Sequence, residues 1–337
     1  MYEESSGDLI DTLTTVSPEV FSADTIAAIL SLTTGTGDAS VSLTEVTASA
    51  SGEVTVASGT EIAYVSAPAD ATLVLAQDIP VVLFQGTNGV NATFTSTGVG
   101  SADGIVDRIV MGTAGADNIV IDDAKNSQVT AGAGDTIVAG AGSDTIIAGM
   151  GDSTVVGGEG YAIVQLGGAA TDYAVTVVNG QAVVTGNGST TTIGNINYVA
   201  LDNNDALIFA ANSVEAAVST LYETTFGRAA DAYGLEFWFD RARDGVSMNA
   251  IANGFINSEE YAELAEVTNE VFINNLFLNT FGSAATTDDM TLWLGAMEAG
   301  QDRADLIEAF AEVAGDMIAS GEGAEVIGSV TIVPGLI

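Results

Sequence analysis

The chain of 337 residues contains neither cysteine nor histidine. Without cysteine there is no disulfide, no thiolate nucleophile and no iron–sulfur cluster. Without histidine there is no imidazole base, no Ser-His-Asp triad and no histidine-bound zinc. These absences remove much of the machinery that hydrolases and metalloproteases use, and they favour a structural role.

Basic residues are scarce as well, since 6 Lys and Arg stand against 45 Asp and Glu and give a net charge of −39. Nucleic acid is therefore a poor partner, because phosphate binding requires clusters of Lys and Arg. Only 15% of the residues are charged and 47% are apolar. The composition thus predicts a folded chain with a sizeable core rather than a solvated acidic tail. Hard cations such as Ca²⁺ suit so acidic a chain.

Long apolar runs are also missing. No run approaches the ~20 residues of a membrane span, so we expect no transmembrane segment. Residues 1–7 supply neither the basic nor the apolar part of a signal peptide. These observations leave two locations open, the cytosol or the exterior after export by a route without an N-terminal signal.

The distribution of apolar, turn and aromatic residues along the sequence predicts a multidomain β + α fold. Short apolar runs between turn residues indicate strands before residue 210, and a helical period with frequent aromatics follows. The predicted architecture is an all-β N-terminal region that runs into a repetitive β segment, followed by an all-α helical domain. A family resemblance given below implies that the repetitive segment is a parallel β-roll or β-solenoid. The segments are an N-terminal arm with a short helix (1–37), an all-β region (38–95), a Gly- and Asp-rich β-roll with closing strands (96–210), a helical domain (211–320) and a C-terminal tail (321–337). Residues 38–95 either continue the solenoid or form a separate sandwich.

Two local signals add detail. The helix of the arm is predicted over residues 17–32, with Ser17 as N-cap and Pro18 at the first helical position. Further along, apolar residues flank the dipeptide Asn179-Gly180, which predicts a β-hairpin with a tight turn there.

A nine-residue repeat begins at residue 112. Its blocks read GTAGADNIV, IDDAKNSQV, TAGAGDTIV, AGAGSDTII, AGMGDSTVV and GGEGYAIVQ. The sixth position runs Asp117, Asn126, Asp135, Asp144, Ser153 and Ala162, and the eighth is apolar in every block but the second. Two blocks make an 18-residue coil, so residues 18 apart are expected to stack. We therefore expect Asp117 to lie on Asp135, Asn126 on Asp144, and Asp135 on Ser153.

The spacing predicts a chemistry for these residues. Glycines at the bends are expected to adopt positive φ and to turn carbonyl groups inward. Stacked carboxylates repel unless a cation lies between them, and Ca²⁺ takes about six to eight oxygens from carboxylates and carbonyls. The predicted metal-site residues are Asp117, Asn126, Asp135, Asp144, Gly112, Gly115, Gly140 and Gly142. The alternative is a β-helix in which the aspartates merely cap turns.

The blocks resemble the calcium-binding nonapeptide of repeats-in-toxin proteins, G-G-x-G-x-D-x-apolar-x, with AGAGSDTII and GTAGADNIV the best matches. The resemblance implies a parallel β-roll, calcium-dependent folding after export, and type I secretion by an uncleaved C-terminal signal, here residues 321–337. Asn126, Ser153 and Ala162 depart from the pattern, so we expect fewer calcium sites than blocks.

The helical segment contains a duplication with one constant offset along the chain. Aligned pairs are Leu221 with Leu276, Phe226-Gly227 with Phe281-Gly282, Trp238 with Trp293, and Phe255 with Phe310. In both copies Phe-Gly is predicted to end one helix, because glycine adopts the left-handed conformation after a helix end. Asp231 and Thr286 are predicted N-caps of the next helix, and the tryptophans are predicted to face inward.

The first copy, LYETTFGRAADAYGLEFW, resembles a helical domain of unknown function with a consensus close to L-Y-x-x-x-F-G-R-x-P-D-x-x-G-L-x-x-W. That domain commonly follows calcium nonapeptides in secreted bacterial proteins and surface-layer proteins. The second copy departs from it at Ser283, Thr286 and Asp289. Two hypotheses follow for Arg228, Asp231, Tyr233 and Trp238. They are either a local salt bridge, a cap and core residues, or a groove for a glycan or a neighbouring subunit.

Catalytic signals are weak. No serine has glycine at both −2 and +2, which excludes a lipase-type nucleophile elbow. Adjacent acids such as Asp122-Asp123, Glu259-Glu260 and Asp288-Asp289 are expected to point apart on a strand or to lie solvated in a first helical turn. We therefore expect no enzyme activity.

These observations together predict a secreted, calcium-binding structural protein that self-assembles into a surface layer or an extracellular filament or matrix at the bacterial cell surface. Its partners would be further copies of itself, with cell-surface polysaccharide as the other candidate partner. One alternative is an adhesin or polysaccharide-binding matrix module whose helical domain holds the glycan. A third is a secreted hydrolase.

Overall fold

The computed structural model describes residues 2–5, 7–9, 11, 23–33, 40–48, 51–66, 68, 71–262, 264–320 and 330–332. They form two compact units. The first comprises residues 1–167, 172–176 and 183–196, and the second comprises residues 168–171, 177–182 and 197–337. The second unit thus includes strands from the closing part of the predicted β-roll segment, 96–210.

Turns connect the strands and helices of the described chain. The strands are β1 (Tyr2–Ser5), β2 (Ser40–Thr47), β3 (Ile62–Ser66), β4 (Thr72–Leu75), β5 (Val81–Gln85), β6 (Asn91–Phe94), β7 (Arg108–Met111), β8 (Asn118–Ile121), β9 (Ser127–Thr130), β10 (Thr136–Val138), β11 (Asp144–Ile147), β12 (Ser153–Val156), β13 (Ala162–Gln165), β14 (Tyr173–Val178), β15 (Gln181–Gly186), β16 (Ser189–Gly194), β17 (Tyr198–Ala200), β18 (Ala206–Ala210) and β19 (Val330–Ile332). The α-helices are α1 (Ala23–Leu32), α2 (Ser213–Phe226), α3 (Ala232–Arg243), α4 (Met248–Ile256), α5 (Glu259–Ala262), α6 (Asn269–Phe281), α7 (Thr287–Glu298) and α8 (Arg303–Ser320). Helix α1 lies within the predicted 17–32, and Ser17 and Pro18 lie outside the described residues.

The first unit is a parallel β-solenoid with two sheets. One sheet runs in the order β2-β3-β5-β7-β9-β11-β13, and the other contains β16-β12-β10-β8-β6-β4. From β3 to β13 successive strands alternate between the sheets, and residues 18 apart pair across coils, as Thr136 does with Asn118 and with Thr154. Strand β1 adds to β2 in antiparallel orientation. The predicted solenoid is confirmed, and because β2 to β6 pair in parallel within these sheets, these five strands belong to it.

The interior of the solenoid is built from the eighth position of the repeat. Ile119, Ile137 and Val155 are fully buried in one sheet, and Ile146 in the other. Each short strand turns this side chain inward because alternate residues of a strand face opposite sides. Burial of each such side chain contributes about 1.5–3 kcal/mol of transfer free energy.

The predicted hairpin at Asn179-Gly180 is confirmed. Strand β14 ends one residue before Asn179, and β15 begins one residue after Gly180. Both turn residues have positive φ, 53° and 79°. This is the backbone that a two-residue type I′ turn requires, and asparagine and glycine adopt it at the lowest cost.

The second unit contains the helical duplication. Helices α3 and α7 occupy equivalent positions, since their first and last residues are separated by the same offset as Leu221 and Leu276. Gly227 and Gly282 end the preceding helices, both with φ 68°. The side chain of Asp231 accepts a hydrogen bond from the Gly234 N–H, and Thr286 forms a capping box with the third residue of α7. The predicted helix ends and N-caps are therefore confirmed.

Each copy has an aromatic cluster around one phenylalanine. Phe255 contacts the rings of Tyr222, Phe226 and Trp238 at centroid distances of 4.8, 5.7 and 5.4 Å. In the second copy Phe310 contacts Phe277, Phe281 and Trp293 at 5.0, 5.8 and 5.0 Å. The half-buried tryptophans thus pack toward the helix that carries this phenylalanine, as predicted.

The two copies pack on each other through α2 and α8. A Cβ at Gly315 would approach the backbone nitrogen of Ala217 to 2.7 Å, so only glycine allows this crossing.

Strand β18 pairs antiparallel with β17 and parallel with β19, which lies in the predicted C-terminal tail. Within the described ranges, none of the helices has the length and apolar character needed to cross a membrane.

Candidate metal centre

The sixth-position side chains of the repeat point inward at the two edges of the solenoid. Asp117 and Asp135 directly precede β8 and β10, and we call this the first edge. Asn126 and Asp144 lie at the start of β9 and β11, on the opposite or second edge. All four are only 2–3% exposed. Buried carboxylates require compensation, so their partners decide what these residues do.

Three aspartates share one pattern of hydrogen bonds. In each, one carboxylate oxygen accepts from a backbone N–H of the same turn and the other accepts from a backbone N–H of the preceding coil. The pairs of donors are Thr113 (2.6 Å) and Val90 (2.8 Å) for Asp117, Gly132 (2.6 Å) and Asp117 (2.8 Å) for Asp135, and Gly140 (2.7 Å) and Ser127 (2.8 Å) for Asp144. We call these contacts the aspartate bridges. Each joins two coils through charge-assisted hydrogen bonds, which are the stronger kind.

The predicted stacking of Asn126 on Asp144 is wrong. Strands β9 and β11 pair with Gln128 opposite Thr145, so this coil is one residue shorter than the 18-residue coils that join β8, β10 and β12, and Ser127 lies opposite Asp144. The turn before β9 contains one extra residue, which also explains why Val129 rather than Gln128 is buried there. Asn126 instead occupies the turn, where its side-chain oxygen accepts from the Ser143 N–H at 2.9 Å.

The amide group of Asn126 joins two further backbone groups. Its nitrogen donates to the carbonyl oxygens of Ser101 and Ile105, both at 2.9 Å. Together with the Ser143 contact, this side chain bridges the coils before and after it. An asparagine in this place therefore acts as a neutral counterpart of the aspartate bridges.

The motif glycines serve a different purpose from the one expected. Gly112, Gly115, Gly140 and Gly142 are not among the residues with positive φ, which in these turns include Gly134. A Cβ at Gly112 would lie 2.1 Å from the Asp117 carboxylate, and at the other three it would lie 2.5 Å from a backbone atom of the adjacent coil. Gly115, Gly140 and Gly142 are therefore required because adjacent coils approach closely, whereas Gly112 leaves room for the Asp117 carboxylate of its own turn. None of the four is required by a positive φ.

Among the described residues, the first edge carries buried negative charge with no basic side chain beside it. Arg108 and Lys125 are the only basic residues before Arg228, and they pair with Asp123 and Asp78. Burial raises the pKa of Asp135, and the charge of Asp117 raises it further against the opposing effect of two backbone hydrogen bonds. Two stacked buried carboxylates, one of them with a raised pKa, form an arrangement that a cation would stabilise.

The second edge has its own cation, which sequence reasoning missed. Arg108, at the start of β7, is 1% exposed, and its Nη2 lies 2.8 Å from a carboxylate oxygen of Asp123. Burial raises the pKa of the neighbouring Asp144, while the charge of Arg108 opposes that rise. A signal exists in the sequence, because Arg108 is the first basic residue of the chain and stands before an apolar run. Asp122 is exposed whereas Asp123 is buried, so these adjacent acids point apart as expected.

A cavity of about 280 Å³ opens at the first edge beside Asp135. It is lined by Met111, Gly112, Thr113, Ala114, Thr130, Gly132, Ala133, Asp135 and Met150. The buried hydroxyl of Thr130 has no hydrogen-bond partner among the described residues. Within the described part of the chain no three acidic side chains converge as metal ligands. The oxygen donors present nevertheless fit a hard cation that takes one or two carboxylates and completes its shell with hydroxyl, carbonyl and water oxygens.

The residues predicted to form a glycan or subunit groove are mostly committed to other contacts. Arg228 donates to both carboxylate oxygens of Glu260 at 2.7 Å and lies 3.8 Å from Asp231. Asp231 caps α3, and Trp238 packs on Phe255. Tyr233 remains half exposed, at 51%. The described geometry thus favours the hypothesis of a local ion pair, cap and core, with Glu260 as an additional partner.

The fold and these contacts define a class, a β-solenoid with coil-bridging aspartates that is joined to a duplicated helical unit. Within it, residues 209–265 and 252–315 match the model of a family described as a domain of unknown function, DUF4214. The two matches cover both helical copies, so this part of the predicted resemblance is confirmed. No family of calcium nonapeptide repeats matched. No curated protein and no solved structure matches the chain.

Proposed function

We propose that the chain is a secreted, calcium-binding structural protein that self-assembles into a surface layer or an extracellular filament. The observation that carries the proposal is the pair of stacked, buried carboxylates of Asp117 and Asp135 on an edge that lacks a basic side chain among the described residues. The motif residues are used to join coils, which is the role expected in a scaffold rather than in a catalytic site.

The two edges differ in the positive charge beside their buried aspartates, and this difference favours calcium as a bound cation on the first edge. On the second edge Arg108 supplies positive charge within the fold. On the first edge the described partners of Asp117 and Asp135 are backbone N–H groups and the Thr113 hydroxyl, which are neutral. A divalent cation from outside the cell would supply the missing charge. Asp135 and the Thr130 hydroxyl, which line the cavity, would hold it, and the stacked Asp117 would add a second negative charge beside it.

Assembly is favoured by the response of so acidic a surface to calcium. Copies that each carry a net charge of −39 repel one another at low ionic strength. Calcium outside the cell reduces this repulsion both within the first edge and between copies. Before export, where free calcium is low, the same repulsion would keep copies apart. Folding and assembly would then follow the calcium concentration by mass action.

The calcium step is tested by thermal unfolding of the full chain in excess chelator and at increasing calcium, with magnesium as the ion control. We expect calcium at about 100 times its Kd to stabilise the solenoid by about 2.7 kcal/mol. Asp135→Asn should abolish this gain. Asp144→Asn is the matched control, because it removes an aspartate bridge on the edge that contains Arg108, and it should keep the gain. If calcium leaves the unfolding of the unmodified chain unchanged, the calcium proposal is wrong.

The assembly step is tested separately by sedimentation velocity on the same samples. We expect a single slow species in chelator and large species in calcium, reversible on renewed chelation. A chain that stays monomeric in calcium although calcium raises its melting temperature would retain the metal site and refute the assembly.

A further inference from the structure

We infer that copies of the chain join head to tail through equivalent helices, with α3 of one copy lying antiparallel on α7 of the next. This inference rests on the proposed self-assembly and names its interface. It is carried by the exposed faces of these two helices, which are the same element in the two copies of the duplication but differ in charge and in burial.

The face of α3 combines aromatic rings with a cation. Tyr233 is 51% exposed and Phe237 is 46% exposed, one helical turn apart. Arg241 follows one turn later, with its guanidinium carbon 3.2 Å from the centroid of the Phe237 ring. It donates to the Phe237 carbonyl oxygen at 2.9 Å. The ion pairs of the described helical unit involve Arg228 and Arg243 but not Arg241, so its charge is available to a partner.

The face of α7 is apolar and acidic, and the described part of the chain leaves it only partly covered. In α3 the core-facing residues Leu235 and Phe239 are 1% and 0% exposed. Their equivalents in α7, Met290 and Leu294, are only partly buried, and no residue of α7 is fully buried. Leu292, which is equivalent to Phe237, is 65% exposed. A helix with so little burial gains from a partner that covers its apolar residues.

The two faces complement each other in antiparallel orientation. On α3 the order along the chain is Tyr233, Phe237, Arg241, and on α7 the equivalent positions are Asp288, Leu292, Ala296. Reversing one helix brings Arg241 to Asp288, Phe237 to Leu292 and Tyr233 to Ala296, because both sets share the i, i+4 spacing of one helix face. The cation thus meets a carboxylate, and the large ring meets the exposed leucine.

Pairing of α7 with α7 is disfavoured, because that helix contains three acidic and no basic residues. The favoured contact therefore joins different surfaces of two copies. A heterologous contact of this kind uses one face of each copy and leaves the other for a further copy, so it propagates as an open chain unless the ends meet and close a ring. This is the kind of growth that a filament or a layer requires.

The test is charge reversal with rescue in the full chain, measured by sedimentation velocity in calcium. Arg241→Glu and Asp288→Arg should each raise the concentration needed for assembly at least ~10-fold, since each places like charges together. The double variant Arg241→Glu with Asp288→Arg should restore assembly. Glu312→Arg, at an exposed acid on α8, is the control for net charge and should leave assembly intact.

The outcomes separate this interface from the proposed function. If the unmodified chain assembles and both single variants assemble equally well, the interface is wrong while the assembly stands. Failure of the double variant to recover, with circular dichroism unchanged, also overturns the interface. If the unmodified chain never assembles, the proposed function and the interface both fail.

Discussion

The buried arginine of the solenoid offers a sharp quantitative test. Arg108 and the side chain of Asp123 are 1% and 0% exposed, and the guanidinium lies over the Phe94 ring at 4.7 Å. We consider Arg108→Met, which keeps an unbranched apolar side chain of similar length. The substitution leaves Asp123 buried, still accepting backbone N–H groups from Ser96 and Lys125, but without its counter-ion.

The expected loss in the free energy of unfolding follows from the Asp123 carboxylate that is left without a counter-ion. Removing one partner of a buried ion pair costs about 3–5 kcal/mol, because the remaining charge stays desolvated. Removing both costs much less, and the Nε and Nη1 of Arg108 have no hydrogen-bond partner within the described structure. The double variant Arg108→Met with Asp123→Asn should therefore lose less than the sum of the two single variants, with a coupling of about 1–3 kcal/mol.

The assay is urea unfolding of the full chain in excess chelator, with the sheet transition followed by circular dichroism. Lys125→Met is the control, since its ion pair with the 54% exposed Asp78 should contribute under about 1 kcal/mol. A loss below about 1 kcal/mol for Arg108→Met, or single losses that simply add, would refute a buried pair as the internal counter-ion of the second edge.

Two further predictions address pH and packing. Burial, with a contribution from the charge of Asp205, raises the pKa of Glu223 to about 8 from its ordinary value of 4.5. Between these two values the folded chain holds a proton that the unfolded chain releases. The free energy of unfolding therefore declines as pH rises from about 5 to 8. Glu223→Gln should remove that decline in melting temperatures of the helical unit, and an unchanged pH slope would contradict the assignment. Gly142→Ala places a Cβ 2.5 Å from the Lys125 carbonyl oxygen and should cost at least ~1–3 kcal/mol in urea unfolding. Gly295→Ala, on a helix with open space around it, should be neutral or stabilising by up to about 1 kcal/mol, and equal effects of the two substitutions would argue against close coil packing.

The regular parts of the fold could be predicted because period and spacing encode them. The nine-residue register places Ile119, Ile137 and Ile146 in the core, and the constant offset between aligned Phe-Gly pairs identifies the duplicated helices with their glycine ends. The nine-residue register does not hold at one turn. There an extra residue before β9 places Gln128 outward and Asn126 away from Asp144, contrary to the prediction. A single inserted residue leaves the composition of a block intact, so the sequence pattern does not reveal it.

The chemistry of the site was harder to predict because it depends on long-range contacts. Val90, which lies well before the first block of the repeat, donates to Asp117, and no repeat unit contains that pair. The pairing of Arg108 with Asp123 likewise arises only when two coils stack. The positive φ predicted for the motif glycines is wrong, because the local sequence suggests a turn conformation, whereas the constraint on Gly115, Gly140 and Gly142 comes from the neighbouring coil and that on Gly112 from the Asp117 carboxylate.

Calcium-dependent assembly can be observed without any substitution, by electron microscopy of the purified full chain in millimolar calcium and again after excess chelator. We predict ordered sheets or filaments in calcium that disperse on chelation and return when calcium is restored. Dispersed single particles in both conditions would contradict the proposed function.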